Sequence, residues 1–466
     1  MNNNNHYLAE ESIGKLLMKF SVPCIMSLLV SALYNVVDQI FIGRGIGYLG
    51  NGATNVVFPI TIITLALALL IGDGCAAYLS LCLGRKDTER AHHAVGNAIV
   101  LVVIVSILMT VFFIVVRDPM LNAFGATENN VEYAREYFNI IVLGVPFYMF
   151  GATVNSIVRA DGSPAFAMIT TLLGCITNII FDPLAIFVWK MGMTGAALAT
   201  IAGQILTAVL LIGYLFHTKS VKLHAKSFVP SFNLSGKFLS LGVSSLLTQV
   251  SIVVIMIVMN TTLVRYGAMS KYGADIPMTV VGIVMKVFQI IIAIVVGIAV
   301  GAQPIIGFNY GAGLNGRVKK VFSTMMKAEI IVGIIAMIVV EVFPLQVIGI
   351  FGSEDALYNE FAVLAFRIYL GTIILCILQK ASAIFLQAMG KPVQAMALSL
   401  LRDFVISVPA VLILPMFFGV TGTLWSAPIA DVISIVVVIV LVRKLLKELG
   451  DEEETAVPVM EAEFEA

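Results

Sequence analysis

Apolar stretches of roughly twenty or more residues alternate with short polar breaks along almost the whole chain, and each stretch is long enough to cross a hydrocarbon layer of about 30 Å as a helix. The pattern predicts helices over 13–42, 53–82, 94–116, 135–158, 165–188 and 193–216, then 236–263, 277–307, 321–343, 358–388, 392–416 and 420–444. The fold class expected is an all-α membrane protein with twelve transmembrane helices.

The two sets of six match one another at a nearly constant offset. The stretch "GDGCAAYLSLCLGRKDTER" (72–90) lies over "AVGAQPIIGFNYGAGLNGR" (299–317), so that Gly74 meets Gly301, Gly84 meets Gly311 and Arg90 meets Arg317. "FGATE" (124–128) falls on "FGSED" (351–355) and "GMTGAALA" (192–199) on "GVTGTLWS" (419–426), both at a shift of 227 residues, while "RADGSP" (159–164) meets "QAMGKP" (387–392) at 228. Units of six spans enter the membrane in the same direction, which implies two bundles related by a pseudo-two-fold along the membrane normal. The expected division is a polar tail (1–12), an N-lobe (13–216), a basic cytoplasmic linker (217–235), a C-lobe (236–446) and an acidic tail (447–466).

Composition agrees: of 466 residues, 59% are hydrophobic and 12% charged, and the mean hydropathy is +1.01. The start, "MNNNNHYLAEES", lacks the basic and apolar regions of a signal peptide. Net charge is zero, which offers no case for a nucleic-acid partner. Lysine and arginine are unevenly placed, with seventeen on the side that holds both termini against six opposite, so both termini are expected in the cytoplasm of a cell-membrane protein. Cys24, Cys75, Cys82, Cys175 and Cys376 have no paired spacing and read as buried free thiols. His217 and His224, in the linker, lack the neighbours a metal site needs.

Polar side chains inside the spans are the candidates for function, because a charge in hydrocarbon costs several kcal/mol. In "TNIIFDPLAIF" (177–187), Asn178 and Asp182 are four residues apart and share a helix face. Pro183 has no N–H, which frees the carbonyl of Ile179. Asp38 in the first span and Thr200 in the sixth lie at similar depth, and these four form one oxygen-rich layer. Two carboxylates sharing a low-dielectric site must hold a proton or attract a cation that neutralises them. Tyr34 and Asn35 face either this layer or the cleft between the lobes, and Asp73 in "GDG" suits close helix packing.

"LYNVVDQIFIGR", "NIIFDP" with Thr200 eighteen residues after its aspartate, and "GAQPIIGFNYGAG" (301–313) together resemble the multidrug and toxic compound extrusion (MATE) family of secondary transporters over about residues 12–446. The resemblance implies export of amphipathic, often cationic small molecules by rocker-switch antiport with Na⁺ or H⁺, with no cofactor. It places the family's cation site, with Na⁺ a possible occupant, on Asp38, Asn178, Asp182 and Thr200. An enzyme is not expected, and a monomer in the lipid bilayer is.

The second lobe does not copy this set. The neighbourhood of Asp38 falls on the uncharged "MNTTLV" (259–264), Asn178 on Ile406 and Asp182 on Ala410. It carries Gln249, Lys286, Arg367, Lys380, Arg402, Asp403 and Asp431 instead, expected as a structural charge network or cleft lining. Arg402 and Asp403, as helix neighbours, are expected to point apart and to find partners such as Asp431 or Lys286. A flippase for a lipid-linked precursor is the alternative, disfavoured because mid-membrane basic residues are few. Protease and hydrolase motifs are missing, and no re-entrant filter segment suggests a channel.

Overall fold

A computed structural model of the chain describes residues 7–124, 126, 130–273, 275–349 and 356–449. The asparagine-rich start (1–6), the acidic tail from residue 450 and most of the FGATE/FGSED pair lie outside the described residues.

After a short α1 (Tyr7–Glu10), the first half holds α2 (Ile13–Gly45), α3 (Tyr48–Gly84), α4 (Thr88–Val115), the short surface helix α5 (Arg117–Ala123), α6 (Val131–Ala160), α7 (Pro164–Pro183) and α8 (Gly192–Leu215). The second half runs through α9 (Phe232–Ala268), α10 (Asp275–Gly311), α11 (Asn315–Val342), the short α12 (Pro344–Gly349), α13 (Ala356–Leu370), α14 (Ile373–Ala388), α15 (Pro392–Leu400), α16 (Val408–Phe418) and α17 (Val420–Glu448). Among the described residues nine helices are long and apolar enough to cross a membrane, and α13 with α14, bent by 40° at their junction, makes a tenth span. The 28-residue α11 and 29-residue α17 complete two sets of six. The helices outrun their apolar stretches by several residues, since polar flanks continue the backbone ladder until a cap stops it. Asp87, for example, accepts from the Arg90 N–H at the start of α4.

The tenth span shows why hydropathy alone missed its shape. It reads as one apolar run, yet the helix breaks at Gly371–Thr372. Two other spans change winding. After Pro183, the chain widens into a π-helical turn over Leu184–Val188, and Leu401–Ser407 does the same ahead of Pro409. A proline withholds an N–H, and the wider turn re-routes the ladder around the gap.

The halves meet along α2, α3, α9 and α10, and their closest approaches lie toward the end of the bundle where Leu8 and Leu449 share one core cluster. Repeat-related glycines make this possible. A side chain on Gly84 of α3 would strike the Phe308 carbonyl of α10, and one on Gly311 of α10 would strike the Leu81 carbonyl of α3. We call this the inner end. Toward the other end, α10 presents Thr279, Lys286 and Gln289 on one exposed face, a polar stripe that suits a water-filled cleft better than lipid.

The segment between the halves is more ordered than a solvated basic loop. Asn97 of α4 accepts from the Ser231 N–H at 2.6 Å and donates to the Val229 carbonyl at 3.0 Å. Asp161 accepts from the N–H groups of Lys219 and Ser220, each at 2.8 Å. Its first-half neighbours therefore hold the segment in place.

Candidate functional site

Asp38 projects from α2, Asn178 and Asp182 from α7, and Thr200 from α8, and the first half's packing gathers them. Asn178 and Asp182 are one turn apart, and Asp182 is the last residue before Pro183 and the π-helical turn. Asp38, Asn178 and Asp182 are all buried, at 9%, 2% and 0% exposure, and Thr200 is half-buried. The carboxyls of Asp38 and Asp182 lie close enough to interact directly.

Asn178 bridges the set. In the amide orientation that satisfies both of its ends, the nitrogen donates to Asp182 Oδ2 at 3.2 Å and the oxygen accepts from the Thr200 hydroxyl at 3.2 Å. One oxygen of each carboxyl, Oδ1 of Asp38 and Oδ1 of Asp182, is buried without a hydrogen-bond partner. Among the described residues neither carboxyl has a lysine or arginine within salt-bridge distance. A buried carboxyl pair with two orphaned oxygens and no resident cation fits a proton or a small hard cation.

One member of the site escaped the sequence reading. The Tyr137 phenol of α6 lies near Thr200, Asp38 and Asp182. A tyrosine in an apolar run carries no spacing signal, because only the rotation of α6 against α8 decides what it faces. Tyr34 also turns toward this layer, next to Asp38, Tyr137 and Tyr148. Asn35 does not: it is exposed, and its amide donates to the Ser31 carbonyl at 2.7 Å.

In the second half the expectation for Arg402 and Asp403 is corrected. Rather than pointing apart they pair at 2.7 Å, because the π-helical turn brings successive side chains closer around the axis. Arg402 also binds Asp431 at 2.8 Å, as expected, and Lys380 holds Asp403 at 3.0 Å. Lys286 takes no part: it is exposed on the polar stripe of α10, and Gln249 is half-buried on α9. Arg367 lies apart, 3.8 Å from Glu341. The Asp403 and Asp431 charges are met by resident cations, which leaves them little call on a mobile ion.

Asp73 of α3 joins the halves. It accepts from Ser156 of α6 at 2.7 Å and from Ser245 of α9 at 2.9 Å, with Arg159 at 3.7 Å. Glu329, midway along α11, is another residue that the sequence reading passed over: it is fully buried with neither carboxyl oxygen hydrogen-bonded.

Comparison with known proteins follows the same lines. The MatE family model matches residues 23–184 and 244–413, one stretch in each half. The "Multidrug export protein MepA" of Staphylococcus saprophyticus is 26% identical over 455 residues, covering 95% of this chain and 96% of that protein. Its counterpart in Staphylococcus aureus (strain N315) is 25% identical, with 91% and 92% covered. Among solved structures, the "outward-facing conformation of a multidrug resistance MATE family transporter of the MOP superfamily" superposes with a TM-score of 0.89 at 22% identity, over 97% of this chain and 100% of that one. A MATE "in the bent conformation" gives 0.88 at 22% identity, with 96% and 99% covered.

Proposed function

This chain belongs to the MatE family of membrane transporters, and from that premise we propose that it exports amphipathic, often cationic small molecules in exchange for Na⁺ or H⁺. The relatives named as multidrug exporters support the substrate class. The excess of basic residues at the inner end supports a cytoplasmic location for both termini.

The observation that carries the coupling is the carboxyl pair. Two unneutralised charges about 4 Å apart repel by about 4 kcal/mol at an effective dielectric of 20, before any cost of burial. The pair therefore binds a proton between its oxygens, or a sodium ion with the Asn178 and Thr200 oxygens completing the shell. Because Asp38 and Asp182 stand on different helices, loading draws α2 and α7 together and unloading lets them part. The proline-flanked π-helical turn next to Asp182 gives α7 a place to yield. Ion occupancy then biases a rocker-switch equilibrium between states open at opposite ends, with substrate bound in the cleft beside the polar stripe of α10. The basic groups of Arg402 and Lys380 are spent on Asp403 and Asp431, which leaves little to hold the anionic headgroup of a lipid-linked precursor, as the flippase alternative would need.

Dye efflux from proteoliposomes under an imposed Na⁺ or H⁺ gradient tests the proposal. Asp38→Asn and Asp182→Asn are each expected to cut gradient-driven efflux at least about tenfold with normal folding and insertion, equivalent to about 1.4 kcal/mol or more on the barrier to the coupled step. Wild-type efflux by both variants would overturn it.

A further inference from the structure

The duplication lets one residue be compared with its own counterpart. Arg90 and Arg317 are related by the 227-residue shift, and each lies near the start of the third helix of its half. In the first half, Arg90 stays local: its Nε is 3.3 Å from Asp87 Oδ2, and its N–H is capped by the same side chain at 3.1 Å. In the second half the position of Asp87 is taken by Leu314, which offers no capping side chain. Arg317 reaches instead across the inner end to the beginning of the chain. Its Nη2 donates to the carbonyls of Glu11 at 2.6 Å and Leu8 at 3.2 Å. Its Nε donates to Asn309 Oδ1 at 3.2 Å, and the Asn309 amide in turn donates to the Leu8 carbonyl at 3.1 Å.

What this clasp holds is a strap. The Leu8 side chain is 2% exposed and packs in one cluster with Phe20 of α2, Ile305 of α10 and Leu445 of α17. Tyr7 packs against the same cluster, beside α2 of the first half. Lys19 sits 4.2 Å above its ring. α1 thus lies between the second half, through Arg317 and Asn309, and the first, through Phe20 and Lys19 of α2. The guanidinium supplies a planar fork to backbone carbonyls that no side-chain substitution in the strap can remove.

We propose that Arg317 is a positioning residue of the transport cycle, clasping the N-terminal turn as a strap across the inner ends of both halves and so favouring the state closed on that side. It acts on the gate and touches neither substrate nor ion. The proposal rests on the alternating-access reading above, and opening the inner end requires the clasp to release.

The test measures both ends of the cleft at once. In a background with the five native cysteines replaced, one cysteine is placed at Ala77, buried where α3 meets α9, and separately at Gln289 on the exposed face of α10. Maleimide labelling rates are read in lipid nanodiscs. Arg317→Ala is expected to speed labelling at position 77 by about tenfold or more and to slow it at 289, the shift that losing a charge-assisted hydrogen bond implies. Leu314→Asp, which restores the local acceptor of the first half, should do the same by drawing Arg317 away. It also serves if Arg317→Ala does not fold, and Arg90→Ala should change neither rate. Faster labelling at both positions would mean general loosening and overturn the clasp. Unchanged rates, in a protein whose labelling still responds to ion and substrate, would overturn the clasp and leave the transport reading standing. Labelling that responds to neither ion nor substrate in the parent would overturn both.

Discussion

At the scale of single residues, the two halves treat their buried charges in opposite ways. Among the described residues Asp38 and Asp182 have no lysine or arginine within salt-bridge distance, only polar neighbours such as Asn178, Thr200, Tyr137 and Tyr34, whereas Asp403 and Asp431 share Arg402 and Lys380. Removing Arg402 leaves the buried Asp431 without a cation and Asp403 with Lys380 alone, so Arg402→Met is expected to cost about 3–5 kcal/mol, read as a fall in the thermal midpoint in detergent. Adding Asp431→Asn, which leaves the Lys380–Asp403 pair intact, should recover most of it. Glu329 is the converse case. Its carboxyl has no hydrogen-bond partner in the protein core, and Glu329→Met should stabilise by about 1–3 kcal/mol in the same assay.

At the scale of elements, the proline-flanked π-helical turns explain why residue spacing read well in one span and poorly in another. Asn178 and Asp182 lie within regular helix, where a separation of four places side chains on one face, and that geometry was legible. Arg402 and Asp403 lie within a π turn, where the same rule fails, and nothing in "LRDFVIS" announces the change of winding. Replacing Pro183 by alanine restores an N–H and removes the reason for the wider turn. Pro183→Ala is expected to leave folding intact and to slow gradient-driven efflux several-fold, measured in proteoliposomes. The helix crossings are equally sensitive to one Cβ: Gly84→Val would push α3 from the Phe308 carbonyl, so the inner end should close poorly and label faster at Ala77→Cys.

At the scale of the whole molecule, a seam of α2, α3, α9 and α10 closes the inner end, with Asp73 reaching Ser245 across it and Ala77, Leu81 and Leu241 packed beside it. A transporter that alternates must open this seam in every cycle. Cysteines at Ala77 and Leu241 joined by a short cleavable cross-linker are expected to abolish efflux, with recovery when the linker is cut. Efflux that persists in fully cross-linked protein would show that the seam does not open.

The sequence by itself determined the membrane class, the twelve spans, the duplication and the four oxygen-bearing residues of the first half. Hydrophobic length, an offset of 227 residues and depth along a helix are local or additive quantities, and they survive without knowledge of packing. The tertiary structure alone decided which way each helix face turns, and with it the place of Tyr137 at the site, the pairing of Arg402 with Asp403, and the reach of Arg317 to the start of the chain. Rotation about a helix axis and the close approach of two halves are set by contacts between residues hundreds of positions apart, and a lipid-facing apolar surface leaves no hydrophobic stripe from which to read them.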